Sequence, residues 1–335
     1  MASNSLFGPI DPATDAGYEA APPRMGFFTD TSVCIGCKAC EVACKEWNLV
    51  PDDGFNLLGQ SYDNTGGLSA NSWRHVAFIE QPARAHTTMP AAPQSNVAAA
   101  RTDVRTGTEP GIGPAVDALA AAGTAGPEFL GMPMSDLPGR SGDGERTDFR
   151  WLMMSNVCKH CTHAGCLDVC PTGSLFRTEF GTVVVQEDIC NGCGYCIPAC
   201  PYGVIDRRQD DGRAWKCTLC YDRLGDGLTP ACAKACPTES IQFGELDVLR
   251  ERADARLATL QEQGETTARL YGEDQGDGVG GDGAFFLLLD EPEVYGLPPD
   301  PEVATKYLPD MWKRAGLAAL GMVASAVVAF AGRRR

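Results

Sequence analysis

The period of the apolar positions changes several times along the 335 residues. Leu246, Leu249, Ala253, Leu257 and Leu260 recur at helical spacing and the run stops at Gly264, which predicts an amphipathic helix. Short apolar runs at Val183–Val185 and Phe285–Leu289 read as strands, the first preceded by Gly181 as in a tight hairpin. Between about Pro82 and Glu145 the chain is rich in Ala, Gly, Pro and Thr without a sustained apolar period, the pattern of a long inserted loop. Ala315–Gly332 is eighteen residues without a charge, preceded by Lys313 and Arg314 and followed by Arg333, Arg334 and Arg335. At 1.5 Å per residue it would cover about 27 Å, the short end of what a bilayer core of roughly 30 Å demands, so it is a candidate membrane span. The fold class these runs predict is α+β, with short elements and much loop.

The cysteines sharpen that picture. Sixteen are present, in four groups of four with none left over: Cys34, Cys37, Cys40, Cys44; Cys158, Cys161, Cys166, Cys170; Cys190, Cys193, Cys196, Cys200; and Cys217, Cys220, Cys232, Cys236. The third group has the Cys-x2-Cys-x2-Cys-x3-Cys-Pro form of a bacterial ferredoxin, and the second has it with two extra residues before Cys166. Three thiolates on a tight loop wrap one cubane of iron and sulfide, while the fourth ligates the neighbouring cubane.

On that exchange rule Cys158, Cys161 and Cys166 join Cys200, and Cys190, Cys193 and Cys196 join Cys170. By elimination Cys34, Cys37 and Cys40 join Cys236, and Cys217, Cys220 and Cys232 join Cys44. The expectation is four 4Fe-4S clusters in two ferredoxin-like modules. Proline follows the fourth cysteine at Pro171, Pro201 and Pro237, but Lys45 takes that place in the first group.

Competing readings fare worse on spacing. Structural zinc takes two Cys-x2-Cys pairs held apart by a longer stretch, and cysteines so close in sequence are poorly placed for disulfides. No Cys-x2-Cys is followed by His, so covalent c-type haem is unsupported. His160 and His163 lie inside the second group, where cysteine already supplies the ligands, and read as outer-sphere or surface residues. Gly278–Gly283 matches Gly-x-Gly-x-x-Gly, yet it precedes an apolar run where a dinucleotide loop would follow one, and reads as a flexible turn.

No nucleophile motif or histidine pair at helical spacing suggests catalysis, so the chain is expected to conduct electrons for a partner and not to be an enzyme by itself. Lys plus Arg number 28 against 44 Asp plus Glu, a formal net charge of −16, which disfavours nucleic acid as a partner. Residues 1–24 hold no apolar run or twin arginine, so export would ride on a partner.

The run from Cys34 through Glu46-Trp47-Asn48 resembles the first cluster motif of the iron-sulfur subunits of membrane-bound formate dehydrogenases. Leu68-Ser69-Ala70-Asn71-Ser72-Trp73, Lys216-Cys217-Thr218-Leu219-Cys220, and the tail from Gly278-Val279-Gly280-Gly281 to Tyr295-Gly296-Leu297-Pro298 are similar to segments specific to that family. The four-group pattern alone indicates a broader group that also serves nitrate, sulfoxide and polysulfide reductases. The resemblance covers about Thr29–Gln81 and Arg150 to the C-terminus.

It implies a catalytic partner with a molybdenum or tungsten pterin, a cytochrome b partner that passes electrons to quinone, and a single C-terminal anchoring helix. The basic residues around the span favour a cluster body on the outer face of the cytoplasmic membrane, a cytoplasmic body being the alternative. The expected organisation is an N-terminal extension (1–28), an outer module in two parts (29–81 and 213–244) and the inserted loop (82–145). An inner module (146–212), a helix-and-strand extension (245–312) and the transmembrane helix with its basic flanks (313–335) complete it.

Overall fold

The computed structural model describes residues 12–54, 62–63, 65–81, 128–129, 132–133 and 150–332. The start of the N-terminal extension, most of the expected insert and Arg333–Arg335 lie outside the described residues. After a single helical turn, α1 (Pro12–Asp15), come β1 (Met25–Asp30), α2 (Ala39–Trp47) and β2 (Arg74–Gln81). A small hairpin, β3 (Glu128–Phe129) with β4 (Met132–Pro133), falls within the insert. Then follow β5 (Arg150–Val157), α3 (Gly165–Asp168), the hairpin β6 (Leu175–Arg177) with β7 (Val183–Val185), and the hairpin β8 (Asp206–Arg207) with β9 (Ala214–Trp215). The chain closes with α4 (Tyr221–Gly225), α5 (Ala231–Lys234), β10 (Ile241–Glu245), α6 (Leu246–Glu262), β11 (Arg269–Tyr271), β12 (Ala284–Leu288) and α7 (Leu308–Gly332).

The main sheet has the order β10-β1-β12-β11, with β1 parallel to β12 and the outer pairs antiparallel. Alternation along β1 and β12 sends side chains to two different cores. Phe28, Phe285 and Leu287 face α6, meeting Leu246, Leu249, Ala253 and Leu260, with the Phe28 and Phe285 rings stacked at 5.2 Å. Phe27, Phe286 and Leu288 face the opposite way, into a core that contains Cys40, Cys44, Cys158, Cys217 and Cys232. The sheet therefore separates a purely apolar layer from a cysteine-rich one. Arg256 at the far end of the α6 layer donates from Nε to Asp30 Oδ2 at 2.9 Å, tying the helix to the end of β1.

β2 and β5 form an antiparallel ladder of eight pairs, from Arg74 opposite Val157 to Gln81 opposite Arg150. The insert leaves and returns at the open end of this ladder, where a long excursion adds little to the cost of closing the loop. Val76, Ile79, Leu152 and Met154 pack the ladder into the cysteine-rich core.

The strand expected at Val183–Val185 forms as β7, and Gly181 turns its hairpin at φ +73°. The strand expected at Phe285–Leu289 runs one residue earlier, because Leu289 N–H turns away to Tyr295 Oη at 3.2 Å. The helix expected to stop at Gly264 runs from Leu246 to Glu262, with Gly264 left-handed at φ +97° just beyond. The apolar tail is helical as expected but begins at Leu308, seven residues before the uncharged run, since Pro309 in the first turn needs no helical N–H partner. Among the described residues this is the one helix long and apolar enough to cross a membrane, and its apolar window is wholly exposed.

One expectation is corrected outright. Gly278–Gly283 is not a flexible turn: residues 279–283 are buried, and the segment is hydrogen-bonded to the second cysteine group through Thr162 N to Gly281 O, His163 N to Val279 O and Gly283 N to Lys159 O. A Cβ on Gly278 would stand 2.1 Å from Pro301 O, and one on Gly280 2.5 Å from the His163 ring, so close backbone approach explains the glycines.

Candidate metal centre

In each cysteine group the backbone repeats one conformation. The second residue after the first cysteine is left-handed in all four: Gly36 at φ +64°, His160 at +47°, Gly192 at +70° and Leu219 at +58°. Two of these carry side chains, at a cost of about 1–2 kcal/mol each that persists only where surroundings enforce it. A left-handed residue at this place is the kind of turn from which anion-binding nests are built, a device common at iron-sulfur sites.

The loops bring cysteines of different groups together. Cys34, Cys37, Cys40 and Cys236 line one cavity; Cys158, Cys161, Cys166 and Cys200 line another. Cys44 lies within electrostatic reach of Cys217, Cys232 and Cys220, and Cys196 of Cys190, Cys193 and Cys170. Helices make the crossing possible. Cys44 is one turn beyond Cys40 on α2, which lies against α5, the carrier of Cys232.

Lys45 replaces proline because α2 continues past Cys44 to Trp47, whereas the chain turns directly after Cys170, Cys200 and Cys236. The Lys45 ammonium is used instead to donate to Pro51 O at 3.1 Å and pair with Asp53.

Burial pushes the Cys40 and Cys196 thiols up to about 11, and those of Cys166 and Cys217 up to about 12, with repulsion from neighbouring cysteines, within and between the sets, adding to the effect. Cys170, although burial would raise it, is drawn down to about 7 by the Leu175 N–H and the Thr172 and Ser174 hydroxyls. Crowded buried thiolates of this kind are stable only around a cation or cluster that replaces their protons. Among the described residues no three His, Cys, Asp or Glu converge on a point suited to a single metal ion. A lone zinc needs its sulfurs about 2.3 Å from one centre, so thiols spread around a cavity fit a polynuclear cluster and not zinc.

Polar groups surround the sets. Ser155 Oγ is 3.2 Å from Cys40 Sγ, Asn48 Nδ2 is 3.8 Å from both Cys44 Sγ and Cys220 Sγ, and the N–H groups of Leu219 and Ala214 point to Cys217 Sγ (3.3 Å) and Cys190 Sγ (3.4 Å). Three buried cations stand close. Lys159 donates to Val157 O at 2.9 Å and lies over the Phe286 and Tyr202 rings; Lys216 donates to Val183 O and Cys217 O; Arg74 donates to Ser155 Oγ on β5. Tyr202 donates to the buried Asp282 at 2.8 Å.

His160, read as an outer-sphere or surface residue, is buried, accepting at Nδ1 from Val183 N–H at 3.1 Å. Sequence reasoning passed over Arg74, Ser155, Lys159 and Asp282. Two of them left a trace: Arg74 as a cation just before the Val76–Ile79 run, and Lys159 as a cation between two ligand cysteines.

This arrangement defines an iron-sulfur electron carrier, and profiles of a 4Fe-4S dicluster domain match residues 33–174 and 149–246. The chain is 34% identical over 330 residues to the iron-sulfur subunit of the nitrate-inducible formate dehydrogenase of Escherichia coli K12, covering 97% of this chain and 87% of that one. It is 32% identical to the formate dehydrogenase iron-sulfur subunit of Haemophilus influenzae, covering 98% and 85%. To the B subunit of the anaerobic dimethyl sulfoxide reductase of E. coli it is 29% identical over 230 residues, covering 68% and 77%. The chain belongs to the family of formate dehydrogenase iron-sulfur subunits.

Proposed function

We propose that this chain is the electron-relay subunit of a formate dehydrogenase, holding four 4Fe-4S clusters on the cysteine sets just described. Each cluster supplies reversible uptake of one electron; the protein supplies ligands, spacing and field. What supports the reading is that thiols of one set approach thiols of the next, so that the four sets can stand in series. Cys40 of the Cys34 set is near enough to repel Cys232 of the Cys44 set; Cys217 of that set repels Cys158 of the next, and Cys166 there repels Cys196 of the last. The exposed cysteines, Cys37 and Cys193, belong to the two terminal sets.

The series divides into two ferredoxin-like modules. The outer one comprises residues 29–81 and 213–244, and the inner one 146–212, with β5 lent to the outer core through Ser155 and Cys40. Ile35 in the loop before Cys37 and Val42 on α2 are about 60% exposed, an apolar rim suited to a subunit contact. The chain entering α7 is fastened to the inner module where Thr305 donates to Asp168 on α3. Electrons therefore enter from a molybdenum or tungsten pterin subunit at the Cys34 end and leave at the Cys190 end, toward a cytochrome b.

α7, about 37 Å long at 1.5 Å per residue, is read as the span, with the cluster body on the outer face. No conversion of formate is assigned to this chain itself.

The test is low-temperature electron paramagnetic resonance of the native complex, purified without oxygen and mixed with formate, beside iron and sulfide analysis. About sixteen of each per chain and reduced-cluster signals with formate are expected, as four cubanes require. Signals obtained only with a strong chemical reductant would keep the relay and reject formate as the donor. Zinc without sulfide would reject the clusters.

A further inference from the structure

Arg74 opens β2 and is 2% exposed, among the largest fully buried side chains of the molecule. Its Nη1 donates to Ser155 Oγ at 3.0 Å and Ser155 O at 3.3 Å, and the guanidinium lies over the Phe27 ring at 5.0 Å. Nε and Nη2 are buried with no hydrogen-bond partner. No carboxylate forms an ion pair with it among the described residues. A buried, unpaired guanidinium with two idle donors is expensive unless negative charge arrives to meet it.

The groups around it say where that charge is. Its partner Ser155 Oγ stands 3.2 Å from Cys40 Sγ, and the Phe27 ring beneath the guanidinium packs in one core with Cys40, Cys44, Cys217 and Cys232, drawn from two different sets. Lys216, by contrast, has its ammonium occupied by the carbonyls of Val183 and Cys217.

We propose that Arg74 is a shared counter-charge seated beside the Cys34 and Cys44 sets, which raises the reduction potentials of both outer-module clusters together. The inference rests on the cluster assignment proposed above and adds to it a residue that ligates nothing. A single unit charge within side-chain reach of both sets, in an interior of effective dielectric about 20, biases a one-electron equilibrium by about tenfold or more. Removing it should favour the oxidised form of two clusters and leave the two inner-module clusters alone.

The test is a potentiometric titration of the intact complex, followed by electron paramagnetic resonance, in wild type and in Arg74→Gln, Arg74→Met and Arg74→Lys, with iron counted in each. Gln and Met remove the charge in two shapes, and Lys restores it. The expected result is about a tenfold shift, 59 mV per cluster for one electron, toward lower potential at two of the four midpoints in Gln or Met, with Lys returning most of it. Four unmoved midpoints, or four that move alike, would overturn the proposal. So would loss of iron in both charge-removed variants, because Arg74 would then hold the fold and not bias the clusters. Absence of one-electron signals in the wild type would instead sink the cluster assignment itself.

Discussion

Ser155→Ala isolates the smallest polar contribution to one terminal cluster. Ser155 is 1% exposed on β5, with Oγ 3.0 Å from Arg74 Nη1 and 3.2 Å from Cys40 Sγ. A guanidinium can only donate, so Oγ accepts from Arg74, which leaves the hydroxyl proton for the Cys40 sulfur. A hydrogen bond to a charged acceptor contributes about 1.5–3 kcal/mol, and only the part that grows when an electron arrives affects the potential. If about a third of it grows, the change is about 0.5–1 kcal/mol, or about 20–40 mV at 59 mV per factor of ten. The alanine variant still offers its backbone carbonyl to Arg74, 3.3 Å away in the native protein, so the cation stays anchored.

Redox titration of the complex should then lower one midpoint by that amount and leave three in place. An upward shift, no shift, or a shift spread over all four would show that the hydroxyl does not point to Cys40 or that Cys40 does not ligate.

Three further outcomes follow from other parts of the molecule. Phe28→Ala empties the α6 face of the sheet at about 3–5 kcal/mol, lowering the denaturant midpoint; because Phe28 faces away from the cysteines, any movement of a cluster potential would contradict the two-core description. Leu320→Arg puts a charge midway along α7 at about 3–4 kcal/mol, so the complex should leave the membrane pellet more readily, and equal retention after a high-salt wash would argue that α7 does not span. Asp63 is drawn down to about 2 by His75, 2.8 Å away, and by the N–H groups of Thr65 and Gly66, against burial, which would raise it from 3.8. A depressed carboxylate stabilises the fold above its ordinary value and loses that contribution as pH falls through about 2. His75→Ala should therefore flatten the acid unfolding curve, followed by circular dichroism, between about pH 4 and 2; an unchanged slope would dismiss the pair.

The cysteine spacing was legible because cluster ligation is local in three of four positions: loops such as Cys34–Cys40 and Cys190–Cys196 must turn within a few residues, and sequence records that directly. The α6 stripe and the uncharged stretch of α7 were equally plain, since a helix writes its burial into its own period. The sequence signalled less clearly where contacts join distant segments. Gly278–Gly283 looked like a loose turn until Pro301 and His163 were found against it. The β2–β5 ladder joins residues more than sixty apart, and Lys45 looked anomalous only while the length of α2 was unknown.

The amino-acid sequence by itself determined that sixteen thiols come in four loops suited to cubanes, and that an apolar tail follows them. Only the tertiary structure decided which distant segments close around the thiols, which two cysteines are exposed, and which cations are buried beside them. The physical reason is range. A ligand loop is held by backbone conformation over a few residues, whereas the field at a buried site is summed over strands and helices that meet only when the sheet closes. Arg74 and Ser155, 81 residues apart, become one polar unit beside Cys40 through that closure alone.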